Sequence, residues 1–223
     1  MCRRGRRAVE MTSFQKFFYS LVKTFFLIFH TLYNRLEVRG RENIPPTGRL
    51  IVASNHASNV DPPLIGAVFP GYLRFLAKES LFRNPLLGFC VRSLAAVPVT
   101  REDSQRAGAV MKLMLGLLQS GERIVIFPEG TRSRDGRLKP LEPGAAFLSL
   151  KADAPILPVY IAGSHDACPP GRVLYRPKKL VVTFAPPIPP DAGEGGERAR
   201  RERMMERLDV ALRAMQKEAD AHA

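Results

Sequence analysis

The 223-residue sequence predicts an α/β fold, a mostly parallel sheet flanked by helices, with an N-terminal amphipathic helix ahead of it. Three observations carry this expectation. From Leu36 onward short apolar runs alternate with stretches of helical periodicity, the order that builds a parallel sheet with helices on its faces. The length suits one such domain, or one domain with a short extension. The composition, 45% apolar and 25% charged without low-complexity tracts or internal repeats, is that of an ordinary folded chain.

Residues 1–35 are expected to form a basic arm and an amphipathic membrane-interface helix, and residues 36–223 an α/β domain ending in a C-terminal helix. Within 13–36, Phe14, Phe18, Leu21, Phe25, Ile28 and Leu32 recur at steps of four and three, while Lys16, Lys23 and His30 fall on the opposite stripe. The longest stretch free of Lys, Arg, Asp and Glu, Thr24 to Asn34, is well short of the ~20 apolar residues a bilayer span needs. No cleavage signal follows it either, since Tyr33, Asn34 and Arg35 lead straight into folded-looking sequence. A helix lying in the membrane interface fits, with Arg3, Arg4, Arg6 and Arg7 adding attraction to anionic lipid. The same spacing also fits a core-docked helix or a coiled-coil seam.

Strands are expected at 36–39, 49–54, 73–77, 95–99, 123–127, 155–161 and 179–185, and helices at 62–69, 84–93, 103–119, 143–151 and 197–218. Residues 186–196, rich in Pro and Gly, read as a linker to the last helix, whose Leu208, Ala211, Leu212 and Met215 share a face suited to packing on the sheet.

Charge and cysteine usage narrow the function classes. Of the formal +13, residues 1–41 contribute nine Lys/Arg against two Glu, and the tail from 194 is balanced. Such a cluster draws polyanions, either nucleic acid or an anionic membrane. Base stacking is argued against by the absence of Trp and by Phe residues gathered on one helix face, so no nucleic-acid partner is expected. Cys2, Cys90 and Cys168 are widely spaced and odd in number, giving neither a disulfide framework nor paired zinc ligands, and no cluster has metal-ligand spacing.

In parallel sheets ligands bind beyond the carboxyl ends of the strands, and two of those ends carry unusual residues. The first is Ile51–Ser54 followed by Asn55, His56 and, five residues on, Asp61 before Pro62 and Pro63. Singly, His56 reads as a hydrogen-bonded histidine and Asp61 as a helix N-cap. As a pair they can meet across the connecting loop, the carboxylate fixing the tautomer that leaves Nε2 free as a base. The second is Arg123–Ile126 followed by Phe127-Pro128-Glu129-Gly130-Thr131-Arg132-Ser133, where a turn offers backbone N–H groups and a guanidinium fork to a phosphate. Read from spacing alone, this is first an ordinary polar turn. Arg134, Arg137 and Lys139 continue the basic character.

Together the two segments resemble the glycerolipid acyltransferase family, of which bacterial 1-acylglycerol-3-phosphate acyltransferase is the best-known member. Asn55, His56 and Asp61 match its N-H-x4-D block, and Phe127 to Ser133 match F-P-E-G-T-R-S throughout. Lys78, Pro85, Gly88 and Arg101 sit where the family tends to have such residues, and Pro155 to Val159 resemble its fourth block, so the likeness covers 36–186. The sequence departs at Ala95 to Thr100, where many members have a Gly and an apolar-Asp pair, and at Pro143, where a basic residue is common.

The resemblance implies transfer of a fatty acyl group from acyl-CoA or an acidic acyl-carrier protein to the free hydroxyl of 1-acylglycerol 3-phosphate, giving phosphatidic acid, with the thioester as co-substrate and no cofactor. It implies His56 as base and Asp61 as its orienter, with Asn55, Arg101, Glu129, Gly130, Thr131 and Arg132 lining the substrate site. Arg132 is the favoured phosphate ligand and Arg101 a second, while Glu129 binds substrate or braces its loop. Membrane lipids as partners imply residence at the cytoplasmic face of the membrane, peripheral or monotopic. Another lysolipid or glycerol 3-phosphate as acceptor, and a non-catalytic lipid-binding protein, are the alternatives. His165 beside Asp166 reads as structural, and Cys90 and Cys168 as inert.

Overall fold

The computed structural model describes residues 13–83, 88, 91–92, 96–99, 104–172 and 174–221. The expected basic arm at 1–12, most of the expected helix 84–93, Cys90 and Arg101 lie outside them. The order is α1 (Ser13–Asn34), β1 (Glu37–Arg39), β2 (Leu50–Ser54), α2 (Asp61–Val68), β3 (Leu76–Lys78), α3 (Glu79–Arg83), β4 (Val97–Val99), α4 (Ser104–Gln119), β5 (Arg123–Ile126), α5 (Gly144–Ala152), β6 (Ile156–Ala162), α6 (Ser164–Ala167), β7 (Val181–Phe184) and α7 (Glu197–Ala221).

Five strands form one sheet in the order β1-β7-β6-β2-β5. The pairs β1–β7, β2–β6 and β2–β5 are parallel, as the alternating pattern predicts, and β6–β7 is antiparallel. The exception has a local cause: among the described residues between β6 and β7 the chain makes only the single turn of α6 and a loop, and a parallel return needs a crossover across the sheet. Strands β3 and β4 form a separate parallel pair, joined to the main sheet where Arg74 exchanges backbone hydrogen bonds with Arg123 and Val125 beside β5.

Strand β2 is buried along its whole length, and its side chains alternate between two cores. Leu50 and Val52 join Leu64, Ile65, Phe69 and Phe184 on the α1–α2 side. Ile51 and Ala53 join Leu118, Leu148, Leu208 and Leu212 on the side covered by α4, α5 and α7. The 186–196 segment is more than a linker, because Ile188 pairs with Ile156 and buried Asp191 takes Arg203 at 2.8 Å.

Helix α1 docks through the side that carries Lys23 and His30, opposite the apolar stripe. Tyr19, His30 and Asn34 are buried, Tyr19 Oη accepts from Leu73 N, and Lys23 Nζ donates to the Phe69 carbonyl. Asn34 Nδ2 donates to the Arg176 and Lys178 carbonyls at 3.2 and 2.9 Å, and Tyr175 Oη donates to Asn34 Oδ1 at 2.6 Å. Leu21, Phe25, Ile28 and Leu32 point outward, Leu32 being 78% exposed. The Arg176 and Lys178 carbonyls need donors that the Asn34 amide supplies and an apolar side chain would not. Among the described residues no helix is long and apolar enough to cross a membrane.

Candidate active site

Strand β2 stops because the next side chain takes over its ladder. Asn55 Nδ2 donates to the Ile161 carbonyl at 3.0 Å and Asn55 Oδ1 accepts from Ile161 N at 2.8 Å, a side-chain clamp onto β6. The amide is thereby committed at both ends, and Asn55 serves the site by spacing its two strands.

Released from the sheet, His56 faces Asp61 across a short loop, with Nδ1 2.9 Å from Asp61 Oδ2. The same oxygen accepts from Ala57 N at 2.8 Å and Ser58 N at 2.7 Å, whereas Oδ1 is buried without a partner. Helix α2 begins at Asp61, and its N-cap is Val60, without a side-chain cap. The capping role expected for Asp61 fails for a local reason: Pro62 and Pro63 have no N–H to give a capping carboxylate, and the next one, Leu64 N, already donates to the Val60 carbonyl at 3.0 Å. The carboxylate turns back to the loop instead. With three donors on one oxygen, Nδ1 carries the proton and Nε2 is left with its lone pair. Phe127, the first residue of the second loop, stacks on the imidazole at 4.0 Å and 22°.

The loop after β5 is tied to the first from below. Glu129 is buried, and its two oxygens accept from His56 N at 2.7 Å and Lys139 N at 2.9 Å, while Ser133 N donates to the His56 carbonyl at 2.7 Å. Burial pushes the Glu129 carboxyl above its ordinary value, and the two backbone donors oppose that shift. Gly130 stands at φ 70, a left-handed turn residue that lets the chain double back. Thr131 Oγ1 accepts from Lys139 Nζ at 2.6 Å. Arg132 donates through Nη1 to Asn59 Oδ1 at 2.6 Å, which places its guanidinium beside the His56 loop. His165 sits under Gly136 and meets the Arg134 carbonyl at 3.1 Å, so it steadies the far end of this loop. Cys168 is buried, its thiol directed at the Arg172 carbonyl.

The structure thus brings together His56, Asp61, Asn55, Glu129, Gly130, Thr131 and Arg132. Sequence reasoning passed over Asn59 and Phe127, although each stands inside a matched block. Two cavities adjoin the pair of loops. One, of about 230 Å³, has His56 at its wall and an apolar lining that includes Pro62, Phe75, Met111, Met114 and Leu148. The other, about 630 Å³, lies beyond Ala57 and is lined by Arg35, Arg39, Arg137, Lys178 and Lys179 among others. No group of His, Cys, Asp or Glu among the described residues could hold a metal.

The model of the Acyltransferase family matches residues 35–162, which contain both loops and strands β1 to β6. A chloroplastic 1-acyl-sn-glycerol-3-phosphate acyltransferase of Brassica napus is 29% identical over 158 residues, 70% of this chain and 46% of the relative. The 1-acyl-sn-glycerol-3-phosphate acyltransferase of Bacillus subtilis is 28% identical over 159 residues, 71% of this chain and 76% of the relative. The chain thus spans about half the length of the plant relative. The crystal structure of the 1-acyl-sn-glycerophosphate acyltransferase PlsC from Thermotoga maritima superposes with a TM-score of 0.76 at 28% identity, covering 96% of this chain and 85% of that one. With a family match over more than half of its length, and with that match holding the His56–Asp61 and Phe127–Ser133 loops, this chain belongs to the acyltransferase family.

Proposed function

We propose that the protein transfers a fatty acyl group from an acyl thioester, acyl-CoA or acyl-carrier protein, to the free hydroxyl of 1-acylglycerol 3-phosphate. The observation that carries this reading is the His56–Asp61 pair at the wall of an apolar cavity with Arg132 beside it. An alkanol is far too weak an acid to attack a thioester unaided, so a base must take its proton as the C–O bond forms. His56 Nε2 is that base, and Asp61 stabilises the imidazolium that results. The tetrahedral intermediate collapses with rupture of the C–S bond, and the departing thiolate takes the proton back from Nε2 to leave as thiol. Arg132, positioned by Asn59, holds the acceptor's phosphate through charge-assisted hydrogen bonds, with Arg101, outside the described residues, as a second ligand. The apolar cavity takes the acyl chain.

Both lipid acceptor and product reside in a bilayer, so a body held at the surface meets them in two dimensions. The outward stripe of α1 supports seating in the membrane interface, at the cytoplasmic face where thioester donors are found. Thiol release from one acyl-CoA with a panel of acceptors tests the whole reading. It should be fastest with 1-acylglycerol 3-phosphate and fall by about 10² to 10⁴ in His56→Ala. A preference for a neutral lysolipid or for glycerol 3-phosphate would reassign the acceptor, and lipid binding without thiol release would leave a lipid-binding protein only.

A further inference from the structure

Between Cys168 and β7 the chain runs as a strap over the end of α1. Residues 169–180 contain Arg172, Arg176, Lys178 and Lys179 and no acidic side chain. Lys179 pairs with Glu37 at 2.8 Å, whereas Arg172, Arg176 and Lys178 are exposed and make no ion pair among the described residues. Among these cations stands Leu174, 69% exposed.

A lone surface leucine needs no explanation, but this one adjoins a larger apolar surface. Tyr175, its chain neighbour, stacks on Phe29 and Tyr33 at 5.8 and 5.7 Å. Those two rings line the shallow groove that Phe25, Ile28 and Leu32 form on the outside of α1. The connection is also firm, since the Tyr175 carbonyl accepts from Tyr33 Oη and the Arg176 and Lys178 carbonyls accept from Asn34. Strap and helix therefore present one surface, apolar along α1 and cationic with a protruding leucine beyond it.

We propose that the strap is a second membrane-contacting element, with Leu174 entering the acyl region and Arg172, Arg176 and Lys178 meeting the phosphates of an anionic lipid surface. This rests on the reading that α1 lies in the membrane interface. Protruding apolar side chains ringed by unpaired cations suit a fluid anionic surface that closes around them, whereas a folded partner needs complementary relief.

The chain contains no Trp, so Leu174→Trp and, separately, Ile28→Trp each place a single indole reporter in the full-length protein. On vesicles of phosphatidylcholine and phosphatidylglycerol in equal parts, both should shift to the blue and be quenched by brominated acyl chains. The combined Arg172→Gln, Arg176→Gln, Lys178→Gln variant should keep its thermal midpoint and bind those vesicles on the order of 100-fold more weakly at low salt. A shift at Ile28→Trp with none at Leu174→Trp would overturn the strap's role and leave α1 seated. No shift at either would overturn both readings. A shift at Leu174→Trp without vesicles, on concentrating the protein or adding an acidic carrier protein, would assign the surface to a protein partner and overturn the proposal.

Discussion

Replacing Asp61 by Asn separates the charge of this carboxylate from its geometry. Three donors converge on Oδ2: the His56 ring, Ala57 N and Ser58 N, at 2.9, 2.8 and 2.7 Å. The two backbone N–H groups admit only an oxygen at that corner, so the Asn amide has to place its carbonyl there and its NH₂ where Oδ1 now lies. His56 then keeps its tautomer, and what disappears is the negative charge that answers the imidazolium. A hydrogen bond to a charged group is worth about 1.5–3 kcal/mol, so kcat should fall by roughly 10- to 150-fold. Asp61→Ala removes the acceptor as well and strands two buried N–H groups at about 1–3 kcal/mol each, so it should lose activity and stability together. Thiol release at saturating substrates, with thermal melts of the same preparations, measures both quantities. A loss near 10⁴ in Asp61→Asn with an unchanged melt would mean that the tautomer has switched, the outcome known for a misoriented triad. An unchanged kcat would show that no imidazolium forms in the rate-limiting step.

Glu129→Gln turns one of two acceptors into a donor facing a backbone N–H, so it should cost about 1–3 kcal/mol, or a Tm lower by roughly 2 to 12 °C. An unaltered melt with a raised acceptor KM would make Glu129 a substrate ligand and not a brace. Arg132→Ala should raise the acceptor's KM more than the donor's, and Arg132→Lys should rescue only part, having charge without the fork. A change confined to the donor would move the phosphate assignment to the thioester. His30 is the acid-sensitive point of α1, because burial pushes its pKa down against the opposing hydrogen bond to Asn34. The unfolded chain therefore takes up the proton first as pH falls below about 6.5, and stability is lost from there down to the folded value. Protection factors of the α1 amides, with the intrinsic pH dependence of exchange removed, should fall on acidification in the wild type and less so in His30→Gln; identical acid sensitivity in both would place the effect elsewhere.

What could be read in the sequence was local. The apolar run of β2 and the residues His56, Asp61 and Phe127 to Ser133 lie within short windows, and the alternation of strands and helices leads directly to the parallel pairings. What escaped depends on partners far along the chain. Asn55 meets Ile161 across 106 positions, and no spacing rule distinguishes a strand clamp from a substrate ligand. The orientation of α1 turns on Asn34 and His30 meeting Tyr175 across 141 and 145 positions. Hydrophobic periodicity identifies the two faces of a helix, yet it does not say which one meets the protein when a polar stripe finds buried acceptors. The antiparallel β7 was hidden likewise, because a strand's direction follows from its connection and not from its residues.

The stacked Phe127 has a consequence for how protons travel. Its ring stacks on one face of the imidazole at 4.0 Å and 22°, and the Nδ1 contact to Asp61 holds the imidazole by one edge. A half-turn of the imidazole would break that contact and sweep the ring into Phe127, so His56 cannot collect a proton at one nitrogen and deliver it by flipping. In acyl transfer the hydroxyl and the departing sulfur must then reach Nε2 in succession from one side. In the proposed direct attack no acyl-enzyme intervenes, so acceptor and thioester must be bound together, and initial rates should form intersecting rather than parallel double-reciprocal lines.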